Sequence, residues 1–393
     1  MRKFKLRKNQ YIVYYKEDYY VVNKFTADFI DKLSDSKNLD ELANKMKVSL
    51  KKVTKLAKKF LIKEKKSQEY RPNFDLPGPI KVQWKTTQVC NLKCKHCYLG
   101  KLNQTCLSEN QMQEIVTKLI NSPINEITLT GGEVLTVKNI FSYIKQFIDN
   151  EIYVTIFTNG TLLKQFLENN DITNFQKYIN ICVSIDGTQE YHDEIRGKGN
   201  YEKSIEGIKK ALSLGIKTTI NTVLNTINIS SIKDMVVELN EMGIKYIQLS
   251  NLLVMGSADL KLKPSFSQEE KLKKEISGLV NSAILKNLHI WVSDKSGEDE
   301  VANNYNYIDE NGKKSIGKEN WICTAGMTRM TIDFQGDVYC CPFCKEFRIG
   351  NILLNNIDEI WNNPVRFQFL SYLAKFNKGS RMCIFSKNMD MVI

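Results

Sequence analysis

The chain has 393 residues, 42% of them hydrophobic and 25% charged, with a formal net charge of +12. No apolar run approaches the ~20 residues a membrane span needs and no secretory signal opens the chain, so a cytoplasmic protein of two or three domains is expected. Ten cysteines in that setting point to metal or redox chemistry and against a disulfide framework. The basic balance suits an acidic partner, whether nucleic acid, membrane surface or peptide, or reflects a Lys- and Asn-rich composition.

Residues 1–65 read as a small domain. Gln10 to Tyr15 and Tyr19 to Lys24 are rich in Tyr, Val and Ile and flank Lys16-Glu17-Asp18, a hairpin signature. Phe25 to Leu33 has helical spacing. Asn38 with Glu41 is an N-cap with a capping box, opening a helix with the apolar stripe Leu39, Leu42, Ala43 and Met46. Ser49 caps a third helix with Leu50, Val53, Leu56, Ala57 and Phe60 inward and a row of lysines outward. Two strands and three short helices predict a winged-helix-like unit. Residues 66–79 are polar and Pro-containing and read as a linker.

Over residues 80–290 strands and helices alternate. Strands are predicted at Val82–Thr87, Glu126–Thr130, Tyr153–Phe157, Ile179–Ile185, Ile216–Leu224 and Tyr246–Ser250. Helices are predicted at Ser108–Leu119, Val137–Ile148, Leu162–Glu168, Tyr201–Leu214 and Ile229–Met242, and Lys261–Leu288 contains a charged helix. This alternation predicts an α/β fold with a parallel sheet. Residues 291–319 form a bridging region whose Asn-, Gly- and Lys-rich part reads as a mobile loop or a disordered insert. Residues 320–393 hold five of the ten cysteines and read as a final domain.

Polar motifs fall at the ends of the predicted strands. The first strand runs into Cys90-Asn91-Leu92-Lys93-Cys94-Lys95-His96-Cys97, with Cys-x3-Cys-x2-Cys spacing. Thiolates are soft ligands that suit iron–sulfur clusters, zinc or copper(I). A structural zinc site wants four protein ligands. Three cysteines suggest a cluster with one open metal corner, and a zinc knuckle completed by His96 or Cys106 is the alternative. Thr130-Gly131-Gly132-Glu133 ends the second strand, where glycines let the backbone approach a ligand and a carboxylate can offset an ammonium. Asn159 ends the third strand, and Ser184 and Asp186 end the fourth. Arg196 offers a planar fork to a carboxylate. Asn221 and the Val254-Met255-Gly256 turn complete the rim. Cys182, within an apolar strand, reads as core and Cys106 as structural.

The cysteine loop resembles that of the radical S-adenosylmethionine (radical SAM) enzymes. The resemblance implies a partial (β/α)6 TIM-like barrel with its chemistry at the strand C-termini. It implies a [4Fe-4S] cluster on Cys90, Cys94 and Cys97, whose fourth iron chelates SAM and whose electron splits it to a 5′-deoxyadenosyl radical. By the same resemblance Gly131, Gly132 and Glu133 hold the SAM amino group and Tyr98 lies by the adenine. Asn159, Ser184, Asp186, Arg196, Asn221 and Met255 complete the cofactor pocket.

Cys323, the Gly336 to Cys341 spacing, Cys344, Gly350-Asn351-Ile352 and Cys383 resemble the auxiliary-cluster extension called SPASM or twitch. That implies one auxiliary cluster, [4Fe-4S] or [2Fe-2S], on Cys323, Cys341, Cys344 and Cys383. Cys340 is a spare thiol that could replace one of them, and a four-cysteine zinc ribbon is the alternative. The N-terminal unit resembles the peptide-recognition element of maturases acting on ribosomally made peptides, where a leader adds as a strand beside the hairpin.

The whole chain is thus similar to sactipeptide and ranthipeptide thioether synthases. The expected activity is radical modification of a ribosomally made precursor peptide, with a thioether crosslink as the leading product and a carbon–carbon crosslink or an epimer as alternatives. The expected partners are that peptide and a flavodoxin- or ferredoxin-like electron donor. An iron–sulfur winged-helix DNA regulator is disfavoured: a sensor needs no Gly-Gly-Glu motif, and the third helix lacks the Arg, Asn and Gln of base-edge readers. No residue stands out as a proton acceptor.

Overall fold

The computed structural model describes residues 2–7, 10–15, 18–23, 39–53, 78–100, 106–172, 174–281, 285, 288–292, 306–308, 314–316 and 325–376. At the N-terminus β1 (Arg2–Arg7), β2 (Gln10–Tyr15) and β3 (Asp18–Asn23) form an antiparallel sheet in that order. β1 is a third strand beyond the expected hairpin. Its sequence alternates Phe4 and Leu6 with Lys3, Lys5 and Arg7, a period-two signal. Helix α1 (Leu39–Met46) follows, with Leu42 and Ala43 buried. The Ser49 carbonyl accepts from the N–H groups of Lys52 and Val53, opening the next helical turn. The expected helix at 25–33 and the rest of the third helix lie outside the described residues.

The larger unit alternates as expected. In chain order it contains β4 (Lys81–Thr87), α2 (Glu109–Ile120), β5 (Glu126–Gly131), α3 (Ile140–Asp149), β6 (Tyr153–Thr158), α4 (Leu163–Asn169) and β7 (Ile179–Ser184). It continues through α5 (Gln189–Arg196), α6 (Asn200–Ser213), β8 (Lys217–Leu224), α7 (Ile232–Glu241), β9 (Tyr246–Asn251), α8 (Phe266–Asn281) and β10 (His289–Val292). Ser108 caps α2 with Gln111 in a capping box. Helix α3 starts three residues later than the apolar pattern suggests, because Asn139 sits in the left-handed region at φ 59°. Helix α7 starts late for a local reason: the Asn225 side-chain oxygen accepts from the N–H groups of Ile227 and Asn228 and holds a turn there.

The last strands are β11 (Asn306–Ile308), β12 (Lys314–Ile316), β13 (Arg329–Ile332), β14 (Asp337–Tyr339) and β15 (Arg348–Asn351), followed by α9 (Ile357–Trp361) and α10 (Pro364–Phe376). β11 and β12 pair antiparallel, which corrects the expectation of a structureless insert for that stretch. Asn311-Gly312 between them is a hairpin dipeptide that the surrounding polar composition masks. The main sheet has ten strands in the order β10-β9-β8-β7-β6-β5-β4-β13-β14-β15. Six parallel strands were expected; β10 adds a parallel strand beside β9, and β13 adds another beside β4. The sheet therefore runs without a break from the alternating region into the cysteine-rich C-terminal segment.

One face of this sheet is dry. Val82 and Trp84 of β4, Ile127 and Leu129 of β5, and Val154 and Ile156 of β6 are buried in a single apolar cluster with residues of the flanking helices. The alternate residues face the other way and are half-exposed, as the burial alternation along β6 and β8 records. Among the described residues no helix is long and apolar enough to cross a membrane.

Trp84 is fully buried, and its indole N–H has no hydrogen-bond partner. Trp84→Ala is expected to cost about 3–5 kcal/mol in urea unfolding, whereas Trp84→Phe, which removes an unsatisfied donor while keeping most of the ring, costs less than half of that.

Candidate functional site

The half-exposed face of the sheet lines a cavity of about 430 Å³ at the C-terminal ends of the parallel strands. Cys90, Cys94 and Cys97 share its wall with the Gly131-Gly132 backbone. Among the described residues no aspartate or glutamate lines it. Three sets of contacts hold the cysteine loop there.

The first is a backbone seam with the end of β5. Gly132 N–H donates to Thr87 O at 2.7 Å, and Glu133 N–H to Val89 O at 2.8 Å. A Cβ on Gly131 would lie 2.4 Å from Thr87 O, and one on Gly132 would lie 2.2 Å from Val89 O. Only glycine permits this approach.

The second set is polar and starts from Asn91. Its side-chain oxygen accepts from Asn159 Nδ2 at 2.8 Å, and its amide donates to Thr161 Oγ1 at 2.8 Å. Asn159 Oδ1 in turn accepts from the Thr161 N–H and hydroxyl. Asn159 lines the cavity, but its amide is engaged in tying the loop to the β6 end.

The third set is a buried ion cluster. Asp186 Oδ2 accepts from Arg196 Nε and pairs with His96 Nε2, each at 2.6 Å, while Oδ1 accepts from Val223 N–H at 2.9 Å. Burial would raise the Asp186 pKa, but the Arg196 guanidinium and His96 overcome it and hold the carboxyl well below the usual range. Arg196 Nη1 also lies 3.8 Å from Cys94 Sγ. Lys95 N–H donates to Ile195 O, so α5 clamps the loop by backbone and side chain together. His96 is thereby committed to Asp186. Behind Asp186, His192 is buried with Nδ1 accepting from the Asp186 N–H at 3.2 Å. Burial first, then Arg196, lower its pKa to about 4.

Most expected cofactor residues converge here. Tyr98, Gly131, Gly132, Asn159, Ser184, Arg196 and Asn221 all line the cavity. Burial pushes the Tyr98 phenol up to about 12, its hydroxyl bonds to Thr130, and its ring meets Phe343 edge-on at 6.5 Å.

Three expected residues do not line the main cavity. Glu133 does not reach the cavity: it is fully buried, with Oε1 accepting from Thr158 Oγ1 at 2.7 Å and Leu135 N–H at 3.1 Å, and Oε2 from Asn159 N–H at 2.8 Å. Its carboxylate braces β5 against β6. Asp186 is fully buried and faces Arg196, His96 and Val223. Met255 lines a smaller neighbouring cavity of about 90 Å³. Its turn packs on the loop: a Cβ on Gly256 would lie 2.4 Å from Gly100 N, and Ser257 N–H donates to Cys97 O at 2.8 Å.

The cavity wall also contains residues that sequence motifs missed. Gln83 and Lys85 project from β4, Gln248 and Ser250 from β9, and Pro342 and Phe343 come from the C-terminal segment. The polar alternation of Gln83 and Lys85 against Val82 and Trp84 was the available signal.

In the C-terminal segment Cys341 and Cys344 are buried side by side, with Cys344 N–H donating to Cys341 O at 3.3 Å. A hydrogen bond from the Cys344 thiol, acting against burial, lowers the Cys341 pKa to about 7. Cys340, Cys341 and Cys344 all belong to the apolar core, and burial pushes the Cys340 pKa up to about 12. Cys323 and Cys383 lie outside the described residues. Cys106 is exposed and Cys182 buried.

The donor chemistry fits iron–sulfur clusters. Three thiols border one cavity, and cysteine thiolates are the ligands of iron–sulfur clusters. Gly131 and Gly132 border the cavity with backbone while the Thr87 and Val89 carbonyls take up the space where their side chains would be.

A parallel barrel open at its strand ends, with three thiols and a Gly-Gly cradle at the mouth, defines a cluster-dependent α/β enzyme. Residues 84–239 match the Radical SAM superfamily, and residues 323–384 match SPASM, an iron–sulfur cluster-binding domain. The chain therefore carries a radical SAM domain and a SPASM domain and is an enzyme; the first domain implies a [4Fe-4S] cluster with SAM and the second an auxiliary iron–sulfur cluster.

The mycofactocin maturase MftC of Mycobacterium ulcerans (strain Agy99) is 24% identical over 305 residues, covering 75% of this chain and 78% of that protein. The sporulation killing factor maturation protein SkfB of Bacillus subtilis (strain 168) is 26% identical over 300 residues, covering 76% and 68%. The crystal structure of Streptococcus suis SuiB bound to precursor peptide SuiA shares the fold, with a TM-score of 0.66 at 16% identity over 98% of each chain.

Two outcomes follow from this geometry. Gly132→Ala must push Val89 and the cysteine loop aside, so the variant is expected to hold roughly half or less of the wild-type iron and sulfide after anaerobic reconstitution, measured colorimetrically. His192 stays neutral in the fold down to about pH 4, while in the unfolded chain it protonates below ~6.5. Stability is therefore lost as pH falls from about 6.5 to about 4, with a slope approaching ~1.4 kcal/mol per pH unit. His192→Gln should flatten that part of a urea-unfolding pH profile.

Proposed function

We propose that this enzyme modifies a ribosomally synthesised precursor peptide, forming a thioether between a peptide cysteine sulfur and a carbon. The observation that carries the reading is the shared cavity: the three-cysteine loop, the Gly-Gly cradle and the Pro342-Phe343 turn of the SPASM segment border one space of about 430 Å³. A peptide segment there meets the radical source and the auxiliary segment together. The maturation functions named for MftC and SkfB and the precursor peptide bound in SuiB support the substrate class.

Cys90, Cys94 and Cys97 would hold the [4Fe-4S] cluster, and Gly131 and Gly132 would hold the SAM amino group by backbone. Arg196, Ser184 and Asn221 would meet its carboxylate and ribose, with Tyr98 beside the adenine. When bound, the cluster and SAM supply a 5′-deoxyadenosyl radical that takes hydrogen from an unreactive carbon. The protein's part is orientation: the Asp186–Arg196–His96 cluster fixes the loop, and Tyr98 and Phe343 screen one side from water.

Cys323, Cys341, Cys344 and Cys383 would ligate the auxiliary cluster, [4Fe-4S] or [2Fe-2S]. Four protein thiolates suit electron transfer to a flavodoxin- or ferredoxin-like protein. The N-terminal sheet has β1 and β3 at its edges, and an extended leader would add there as a further strand.

With dithionite and SAM, the reconstituted wild type is expected to release 5′-deoxyadenosine and Cys94→Ala to fall to background. Cleavage that survives in the variant overturns the cluster assignment. Co-expression with a candidate precursor peptide that holds a core cysteine should give a product two hydrogens lighter, read by mass spectrometry; an unchanged mass overturns the crosslink.

A further inference from the structure

Lys85 is a cation inside the cavity that, among the described residues, is held in no ion pair; Asp333 and Cys341 are the groups of opposite sign in its surroundings. It lies on β4, five residues before Cys90, and is 6% exposed. Its Nζ donates to Pro342 O at 3.2 Å and lies 5.3 Å from the centre of the Tyr98 ring. An ammonium has three N–H donors, and one is used. Among the described residues Lys85 makes no ion pair.

Its charged surroundings are of mixed sign and do not neutralise it. Lys345 and Asp333 border the smaller cavity that Lys85 also lines. Asp333 Oδ1 accepts from the N–H groups of Gln335 and Asp337 at 2.9 and 3.0 Å, and no ion pair joins Asp333 to Lys85 among the described residues. Burial, then Lys345, lower the Lys85 pKa. The other cation of the main cavity, Arg196, is neutralised by Asp186. A buried charge is stable when it is paired and hydrogen-bonded, so Lys85 is built for an anion that arrives with a ligand. The amides of Gln83 and Gln248 on the same wall suit a polar ligand group beside it.

We propose that Lys85 is the recognition residue for a carboxylate of the substrate peptide, an aspartate or glutamate side chain close to the reacting carbon. This rests on the peptide reading above and adds a sequence preference to it: an acidic residue at or beside the site of modification. Lys85 spans the gap between the cysteine loop and the SPASM turn, through Tyr98 on one side and Pro342 on the other. A carboxylate bound to it lies between the two cluster-bearing segments.

The test uses SAM-loaded, anaerobically reconstituted full-length enzyme and matched candidate precursor peptides, each with its leader. Each peptide holds one cysteine and, at a varied spacing, Asp or Asn, or Glu or Gln. Modification is read by mass spectrometry, 5′-deoxyadenosine release by chromatography and SAM affinity by calorimetry. Wild type should modify the acidic peptides about tenfold or more faster than their amide partners, the effect of one charge-assisted hydrogen bond. Lys85→Met should lose that preference while keeping peptide-independent SAM cleavage, SAM affinity and iron content, and Lys85→Arg should keep part of the preference.

Equal rates on acid and amide peptides in wild type, or a preference that persists in Lys85→Met, overturn the proposal. So does a tenfold fall in SAM affinity in that variant, which would assign Lys85 to the cofactor. Wild type that cleaves SAM but modifies none of the peptides overturns the parent reading instead, and is distinguished by the absence of any acid-to-amide comparison.

Discussion

The candidate site depends on one buried carboxylate. Asp186 joins four parts of the chain: its own strand end on β7, Arg196 at the end of α5, His96 in the cysteine loop and the Val223 amide on β8. Each partner takes part of the charge, and Asp186 itself is fully buried. Such an ion cluster adds little net stability against a hydrophobic replacement, but removing one member leaves the others charged and stranded. Its value lies in geometry. The loop between Cys90 and Cys97 has almost no regular structure of its own, and this cluster with the β5 seam and the Asn91–Asn159 bonds gives it one conformation.

The sheet leaves room for the chemistry because it does not close. In a complete eight-stranded barrel, inward side chains fill the interior. Here the strands form an open arc, and the inward positions, among them Gln83, Asn221 and Gln248, line a cavity. The opposite face carries the apolar core, so stability and function occupy alternate residues of the same strands. A single-residue slip in register would exchange the two.

Much of this was legible in the sequence because it is periodic. Strand and helix alternation, the Ser108 cap and the placing of cysteines and glycines at strand ends all follow from local patterns. What stayed hidden was pairing across strands. Glu133 and Asp186 sit in motifs that suggest ligand contact, yet Thr158, Asn159 and Arg196 absorb them, and those neighbours are 25, 26 and 10 residues away. Lys85 was overlooked for the opposite reason: it belongs to no motif, and only its position in a β-strand turns it toward the cavity. β13 shows the same limit at larger scale, since nothing in Arg329 to Ile332 announces that its partner is β4.

That parallel pairing of β13 with β4 bears on how the polypeptide is made. β4 leaves the ribosome roughly 250 residues before the strand that will cover its outer edge. During that part of translation its row of backbone donors and acceptors is open, an invitation to mispairing. The barrel can be seated against its final neighbour only once the SPASM segment has emerged, so iron delivery before chain termination would meet a sheet that still lacks its last strands.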